Sequence, residues 1–291
     1  MSESEPQNGK EYDYEPFADT QEYRRINKEI IKRWIRGMME AGTEKIEGLL
    51  DIATGVGTMV RIFLEEVPED WDNPRIVCLD KSSDALKQAK QRIGSLAEEV
   101  DFIHCPVEEL DEPRDDVEVV LWGNGIHYLD KEDQKNAVKK VKELLDPAWF
   151  LFNTAFYEEA RPEETIGFYR SQVRKAAKVL RSRGVERDKS KGKPEAANFF
   201  PRSHYKEMIS RAGFSLSDAS EFTARFYRKA WERISGFKQY AEGALHGYPP
   251  EEAAESLKEA VGPALKDHGK EDEEGELYVP RRWLAISAKD D

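Results

Sequence analysis

Apolar positions along this chain follow two rhythms. Between residues 46 and 155, short continuous apolar runs (46–51, 75–80, 100–105, 117–122 and 149–155) alternate with stretches whose apolar residues return every three or four positions. Continuous runs of that length read as strands buried on both faces, and the longer spacing reads as amphipathic helices. The predicted helices cover 57–67, a segment capped by Ser82 or Ser83 that carries Ala85, Leu86, Ala89 and Ile93, and one capped by Asp130 that carries Ala137, Val138, Val141 and Leu145. Ahead of them, a helix from about Thr20 to Glu40 places Ile26, Ile30, Trp34 and Met38 on one face. The alternation predicts a parallel sheet with helices on both sides. After Ala155 the rhythm changes. Residues 162–184 read as helix, then come a Lys/Gly-rich loop, a short helix from Ser203 to about Gly213, and a strand at 214–224. Residues 227–268 are mostly helical with an interruption at 247–250, and a last strand falls around 282–288.

The first strand ends in Asp51 and breaks into a turn, Ile52-Ala53-Thr54-Gly55-Val56-Gly57, before the next helix. Strand, glycine turn and helix form the ligand-binding opening of a doubly wound domain. The turn lacks the Gly-Lys-Ser/Thr ending of a phosphate loop. It also lacks the third small residue of a dinucleotide fingerprint, since Val60 stands there. That weakens a dinucleotide without removing it, and leaves S-adenosylmethionine, which carries no phosphate, as the third candidate.

Several segments in order resemble the class I S-adenosylmethionine-dependent methyltransferases. DIATGVG resembles the family's first motif, in the variant with Ala53 at the first glycine; VCLDKSSDALKQAKQRI resembles the second, with an acid closing the second strand. VEVVLWGNGIHYL, LLDPAWFLFNTAF and MISRAGF resemble later segments. The resemblance covers 49–155 well and the remainder by layout. It implies an α/β fold with a doubly wound, seven-stranded, mostly parallel sheet in the order 3-2-1-4-5-7-6, plus helical cap insertions. On this reading residues 1–45 form an N-terminal lid and helix and 46–155 the cofactor core. Residues 156–200 form a first cap insertion, 201–224 more core, 225–277 a second cap insertion and 278–291 the last core strand. Tyr12, Tyr14 and Phe17 are the aromatic residues of the lid.

The resemblance also implies site residues. Asp80, at the carboxyl end of the second strand, accepts hydrogen bonds from ribose hydroxyls, and Lys81 lays its stem on the adenine. Ala53, Thr54, Gly55 and Gly57 line the methionine end, and Asp51 orients that loop. The family often has an acid after the third strand; Pro106 stands there instead and offers no acceptor side chain and no N–H. The adenine then falls to the Val107 N–H and Glu108. Asn124 borders the methionine moiety, and Gly123 and Gly125 allow close backbone approach. His127 is the candidate catalytic base, because neutral imidazole accepts protons near neutral pH; a packing role is the alternative. Tyr128, Tyr157, Tyr169, Arg170 and Arg174 are the candidate substrate contacts.

Composition sharpens the partner rather than the fold. The formal net charge is −13, which disfavours nucleic acid. Against that background, residues 170–193 are basic: Arg170, Arg174, Lys175, Lys178, Arg181, Arg183, Arg187, Lys189, Lys191 and Lys193, opposed by Glu186 and Asp188. A solvated helix face explains them, as does a cap receiving an anionic substrate such as a carboxylate or an acyl thioester on a carrier protein or coenzyme A. The aromatics Phe168, Phe222, Phe226, Tyr227, Trp231, Phe237 and Tyr240 supply either the wall of an apolar pocket or the core of the cap. The chain has no apolar run of membrane-spanning length, a polar N-terminus and two cysteines, Cys78 and Cys105, which read as reduced thiols in a cytoplasmic protein. No metal-ligand spacing occurs. The expected activity is methyl transfer to oxygen or carbon, with nitrogen behind, on a small or acyl-type molecule. An NAD-dependent oxidoreductase with an atypical glycine turn and a non-catalytic cofactor-binding module are the rivals.

Overall fold

A computed structural model describes residues 13–69, 71, 74–111, 116–192 and 199–290. Tyr12 and Lys193 lie outside the described residues. The five apolar runs form β1 (Gly48–Ile52), β2 (Arg75–Asp80), β3 (Val100–His104), β4 (Val119–Gly123) and β5 (Trp149–Thr154). They pair in parallel in the order β3-β2-β1-β4-β5. Successive side chains point to opposite faces. Leu49, Val119 and Leu121 therefore enter one core, beneath α2 (Gln21–Glu40) and α3 (Thr58–Glu66). Leu50, Ile52, Val120 and Trp122 enter the other, beneath α5 (Lys131–Leu145) and α7 (Arg202–Arg211). Thr20 caps α2 by accepting from the Tyr23 N–H, as its position ahead of the apolar stripe predicts. Ser82 caps α4 (Ser83–Ile93) and Asp130 caps α5 in the same way.

Two long strands complete the sheet. β8 (Leu277–Lys289) runs antiparallel to β5, and β6 (Ser215–Tyr227) runs antiparallel to β8, giving β3-β2-β1-β4-β5-β8-β6. A two-residue strand, β7 (Lys270–Glu271), pairs with the start of β8 and makes eight strands where seven were expected. Both long strands extend further than their sequence pattern indicates: β6 continues to Tyr227, and β8 begins at Leu277 rather than near 282. The register explains why. Thr154, the last residue of β5, pairs with Leu284. Residues 277–283 and their β6 partners therefore form a two-stranded ribbon beyond the edge of the parallel sheet, above the carboxyl ends of its strands. On one face of that ribbon Phe222 pairs with Trp283, Ala224 with Arg281 and Phe226 with Val279. An arginine on an otherwise apolar face breaks the hydrophobic run that marked the strand, so its start was missed.

The helical insertions roof this ribbon. α6 (Glu163–Ser182) packs along α10 (Pro250–His268), and α8 (Arg228–Gly236) and α9 (Lys238–Ala244) join them. Ala176, Leu180, Ala241, Leu245, Leu257 and Ala260 form their shared apolar cluster. Gln172, fully buried, donates to the Ser235 hydroxyl at 2.7 Å and to the Leu257 carbonyl at 3.1 Å. At the N-terminus α1 (Glu15–Ala18) is tied to the sheet side by Arg92, which donates to Glu15 and Asp19, and to the cap by Arg233, which donates to the Pro16 carbonyl at 2.6 Å. Among the described residues no helix is long and apolar enough to cross a membrane.

Gly123 and Gly125 follow β4 because other protein atoms come close there. A Cβ on Gly125 would stand 2.2 Å from the Ala53 Cβ and 3.1 Å from the Trp122 Nε1, whereas one on Gly123 would meet the flexible Met59 Cγ at 2.9 Å. Gly125→Ala is expected to destabilise the protein by about 1–3 kcal/mol through overpacking, and Gly123→Ala by less. Urea denaturation checks this; an undiminished stability in Gly125→Ala would show that the two strand-end turns can separate freely.

Candidate functional site

Two neighbouring strands end in residues that L-side chains rarely tolerate. Ala53, after β1, has φ 56°, and Asn124, after β4, has φ 57°. Gly55 and Gly57 also take positive φ, 55° and 77°, which glycine adopts without strain. Strained non-glycine residues persist where surrounding contacts over-determine them and cluster at functional sites. Here the contacts are explicit. The Thr54 N–H donates to the Leu79 carbonyl at 3.1 Å and its hydroxyl to Asp51 at 2.5 Å. The Asn124 N–H donates to the Asn153 carbonyl at 2.9 Å, and its side-chain oxygen accepts from the Ala155 N–H at 2.8 Å. Asn153 donates on to Asn27 at 3.4 Å, so α2 is pinned to the same strand ends. Neither Asn153 nor Asn27 carries a sequence signal beyond a polar residue inside an apolar run.

Asp80 closes β2 beside this turn. One carboxylate oxygen accepts from the Gly55 N–H and the other from the Ser82 N–H, each at 2.8 Å. Each oxygen keeps a further acceptor site. Burial raises the Asp80 pKa against the pull of those two N–H groups. Asp51, deeper in the same corner, is pushed up to about 7, chiefly by burial and further by the charge of Asp80, against the Thr54 hydrogen bond.

These groups border one cavity of about 510 Å³. Ala53, Thr54, Gly55, Asp80, Lys81 and Asn124 line it, as do Val107 and Glu108 with Pro106 and Cys105. The cap side is lined by His127, Tyr128, Phe156, Tyr169, Trp231 and Tyr240, and the N-terminal side by Tyr14 and Phe17. Several expected contacts fall elsewhere. Asp51 is buried behind the turn, and Gly57 faces Ile93 and Ala89 of α4. Tyr157 is buried with its hydroxyl on Glu221 at 2.6 Å, outside the lining. Arg170 and Arg174 are exposed on α6 and do not reach the cavity. Their basic neighbours are drawn to the cap's own acids: Lys175 to Asp267 at 3.1 Å and Arg183 to Glu259 at 2.5 Å. Of the aromatics, Phe168 and Phe226 are fully buried in the core.

Sequence reasoning missed the cavity's cations. Arg161 lines it and stacks on Phe199 at 3.7 Å. Arg281 lines it among Phe156, Trp231 and Trp283, at 5.5, 5.7 and 5.6 Å from the ring centres. The period-two pattern Val279-x-Arg281-x-Trp283 was the available signal.

His127 has the position of a base but not the basicity. It stacks on Phe156 at 3.6 Å, and its Nδ1 is buried without a partner. Burial, then the charge of Arg281, depresses its pKa to about 3, so it stays neutral and takes up protons poorly near neutral pH. Tyr128, beside it at 4.2 Å, receives the Lys81 ammonium over its ring at 5.1 Å. Among the described residues no group of three or more His, Cys, Asp or Glu is placed to hold a metal ion.

The cavity wall also gathers orphaned polar atoms. Thr58 Oγ1, Trp122 Nε1, His127 Nδ1, Trp231 Nε1, Trp283 Nε1 and Arg281 Nε are all buried without hydrogen-bond partners on residues that line it. Buried polar groups are normally paired, so their concentration here marks a ligand site. The set at the strand ends fits a nucleoside-bearing cofactor: a carboxylate with free acceptor sites, positive-φ backbone at the turn, and the slot beside Cys105 and Val107.

Comparison with known proteins agrees. Residues 49–148 match the model of a methyltransferase domain. Among curated proteins there is no significant match. The YcgJ protein from Bacillus subtilis is similar at 16% identity and TM-score 0.53, over 89% of this chain and 99% of that one. A candidate methyltransferase from Bacillus halodurans is similar at 16% identity and TM-score 0.50, over 87% of this chain and 96% of that one. The [4+2]-cyclase SpnF is similar at 14% identity and TM-score 0.51, over 92% of this chain and 81% of that one. At such identities the likeness establishes the fold, and the cyclase shows that the fold alone does not name the reaction.

Opposed titrations at this site make a test. Asp51 binds its proton more tightly folded than unfolded, so its contribution to stability falls as pH rises from 3.8 to about 7. His127 binds its proton less tightly folded, so its contribution is present above 6.5 and is lost as pH falls towards about 3. Between about pH 4 and 6.5 the two slopes offset each other. Relative to wild type, Asp51→Asn should gain stability with rising pH across that window, and His127→Gln should lose it. Urea denaturation over a pH series reads both; three parallel curves would contradict the buried placements.

Proposed function

Residues 49–148 match a methyltransferase domain, and we propose that the chain is a class I methyltransferase that takes S-adenosylmethionine as its methyl donor and transfers the methyl group to an oxygen or carbon atom of a small or acyl-type acceptor. The observation that carries this reading is the continuity of the cavity. One space joins the strand-end turn and Asp80 to the aromatic wall of the cap.

The residue roles follow from that continuity. Asp80 holds the ribose hydroxyls with the acceptor sites its backbone partners leave open. The backbone of Ala53 to Gly55 and the Asn124 turn receive the methionine end. Val107, Glu108 and the stem of Lys81 border the adenine. When bound, S-adenosylmethionine supplies a methyl group on a sulfonium, already activated for in-line displacement. What remains for the protein is alignment and exclusion of water. Phe156, Trp231 and Tyr240 do both on the cap side, and Tyr14 and Phe17 close the N-terminal side. His127, held neutral, contacts the acceptor as an uncharged ring. An acceptor that ionises readily by itself, such as a stabilised enol, suits a site without a strong base. The exposed basic residues of α6, Arg170 and Arg174 among them, lie outside this scheme.

Calorimetric titration with S-adenosylhomocysteine and with NAD tests the reading. Tight binding of the first is expected; binding of NAD alone would overturn it. Asp80→Ala should weaken S-adenosylhomocysteine binding by about 1–3 kcal/mol, the usual effect of losing hydrogen bonds to a charged group. An unchanged affinity would remove Asp80 from the ribose.

A further inference from the structure

The cap half of the cavity is dominated by donors. Arg281 Nε, Trp231 Nε1 and Trp283 Nε1 are buried without partners, and none of the three can accept a hydrogen bond. Both tryptophans are almost fully buried, at 2% and 1% exposure. Arg281 stands within 5.7 Å of both indole rings and within 5.5 Å of the Phe156 ring. The strand register holds it there, because its cross-strand neighbour is Ala224, whose small side chain leaves the space above the ribbon open.

Its electrostatic surroundings are unusual for an arginine. Arg92 pairs with Asp19 and Glu15 and Arg24 with Glu65, while the half-buried Arg233 and Arg282 donate to the backbone carbonyls of Pro16 and Glu159. The titratable groups facing Arg281 are Tyr240, Tyr14, Tyr23 and the neutral His127, with no carboxylate ion pair among the described residues, and burial holds its pKa below the ordinary arginine range. The other lining arginine, Arg161, has Glu158 and Tyr169 as neighbours. A largely desolvated guanidinium whose Nε–H has no partner is costly unless an acceptor completes it.

We infer that Arg281, with Trp231 and Trp283 around it, is the receptor for a carboxylate on the methyl acceptor, and that the acceptor is an amphipathic acid with an aromatic or aliphatic body. This rests on the proposed methyl-transfer reading. A carboxylate is acceptor-only, matches one guanidinium in charge, and forms strong charge-assisted hydrogen bonds with it. A phosphate would ask for more cationic donors than Arg281 alone supplies. The aromatic walls take the body of the molecule. The anion site expected on the basic 170–193 run thus moves to a single residue at the edge of the sheet. A carboxylate also occurs on the cofactor, at its methionine end, so the experiment separates the two sources.

The full-length protein, saturated with S-adenosylhomocysteine, is titrated with 3-phenylpropionate, indole-3-acetate and octanoate and with the amide of each, following tryptophan fluorescence and the melting temperature. At least one acid should bind about tenfold or more tightly than its amide, a difference of about 1.4 kcal/mol. Arg281→Met should abolish that preference, Arg281→Lys should keep part of it, and Arg174→Glu, on the exposed face of α6, should leave it intact. In Arg281→Met the affinity for S-adenosylhomocysteine alone should stay within about twofold of wild type. Amides binding as well as acids in the wild type, or a preference that survives in Arg281→Met, overturns the inference and leaves methyl transfer standing. A tenfold loss of S-adenosylhomocysteine binding in Arg281→Met overturns it too, by giving the guanidinium to the cofactor. Failure of the wild type to bind S-adenosylhomocysteine instead overturns the underlying reading. Should Arg281→Met not fold, Arg281→Lys decides: an acid preference equal to wild type counts against the receptor.

Discussion

The site depends on one constraint: the turns after β1 and β4 must lie against each other with Ala53 and Asn124 both in left-handed conformations. Each such residue stores strain of about 1–3 kcal/mol, and the fold offsets it with contacts that serve little else. Thr54 is fixed to Asp51 and Leu79, Asn124 to Asn153 and Ala155, and Gly125 leaves only enough room for the Ala53 methyl. The result is backbone turned towards the crevice at the carboxyl ends of the strands, where open α/β sheets bind ligands. Asp51 follows from the same constraint. It is buried because the turn that it braces is buried, and its raised pKa is the electrostatic consequence of bracing.

The parallel core was legible in the sequence because burial on both faces makes a strand a continuous apolar run, and nothing else in a chain of this composition does so five times in alternation with capped helices. Asp80 and the 53–57 turn were legible for a related reason: a polar or glycine residue that ends such a run has few structural reasons to be there. The ribbon was not legible. Its strands are buried on one face only and carry polar residues such as Arg225 and Arg282 on the other. One of its inward positions holds Arg281, so the periodicity blurred at the segment that builds the cap side of the cavity. Charge counting misled in the complementary way. Ten basic residues close together in sequence drew attention to 170–193, yet Lys175 and Arg183 find acids on α10, Arg187 donates to the His246 carbonyl, and Arg170, Arg174, Lys178, Arg181, Lys189 and Lys191 are exposed. Linear charge density reports on solvation; a single charge matters when its neighbours are aromatic and its donors are unpaired.

His127 shows the limit of reading a residue by its free chemistry. An imidazole after the fourth strand invites a base assignment, since its unperturbed pKa suits the task. Stacked on Phe156, enclosed, and near Arg281, the same ring becomes an uncharged surface. The environment sets the charge state, and that environment is assembled from Phe156, after the next strand, and Arg281, near the end of the chain.

The ribbon has one more consequence. β6 climbs out of the sheet and β8 descends into it, so the whole of α8 to α10 hangs from the free end of a hairpin whose two legs are paired along their full length. The β5–β8 register is set by residues 149–154 and 284–289, below the point from which these helices hang, so changes in their length or sequence are separated from the turns after β1 and β4. The two halves of the cavity are in this sense separately heritable. The lower half is constrained by backbone geometry that tolerates few alternatives, while the upper half takes its walls from segments that the parallel core does not fix.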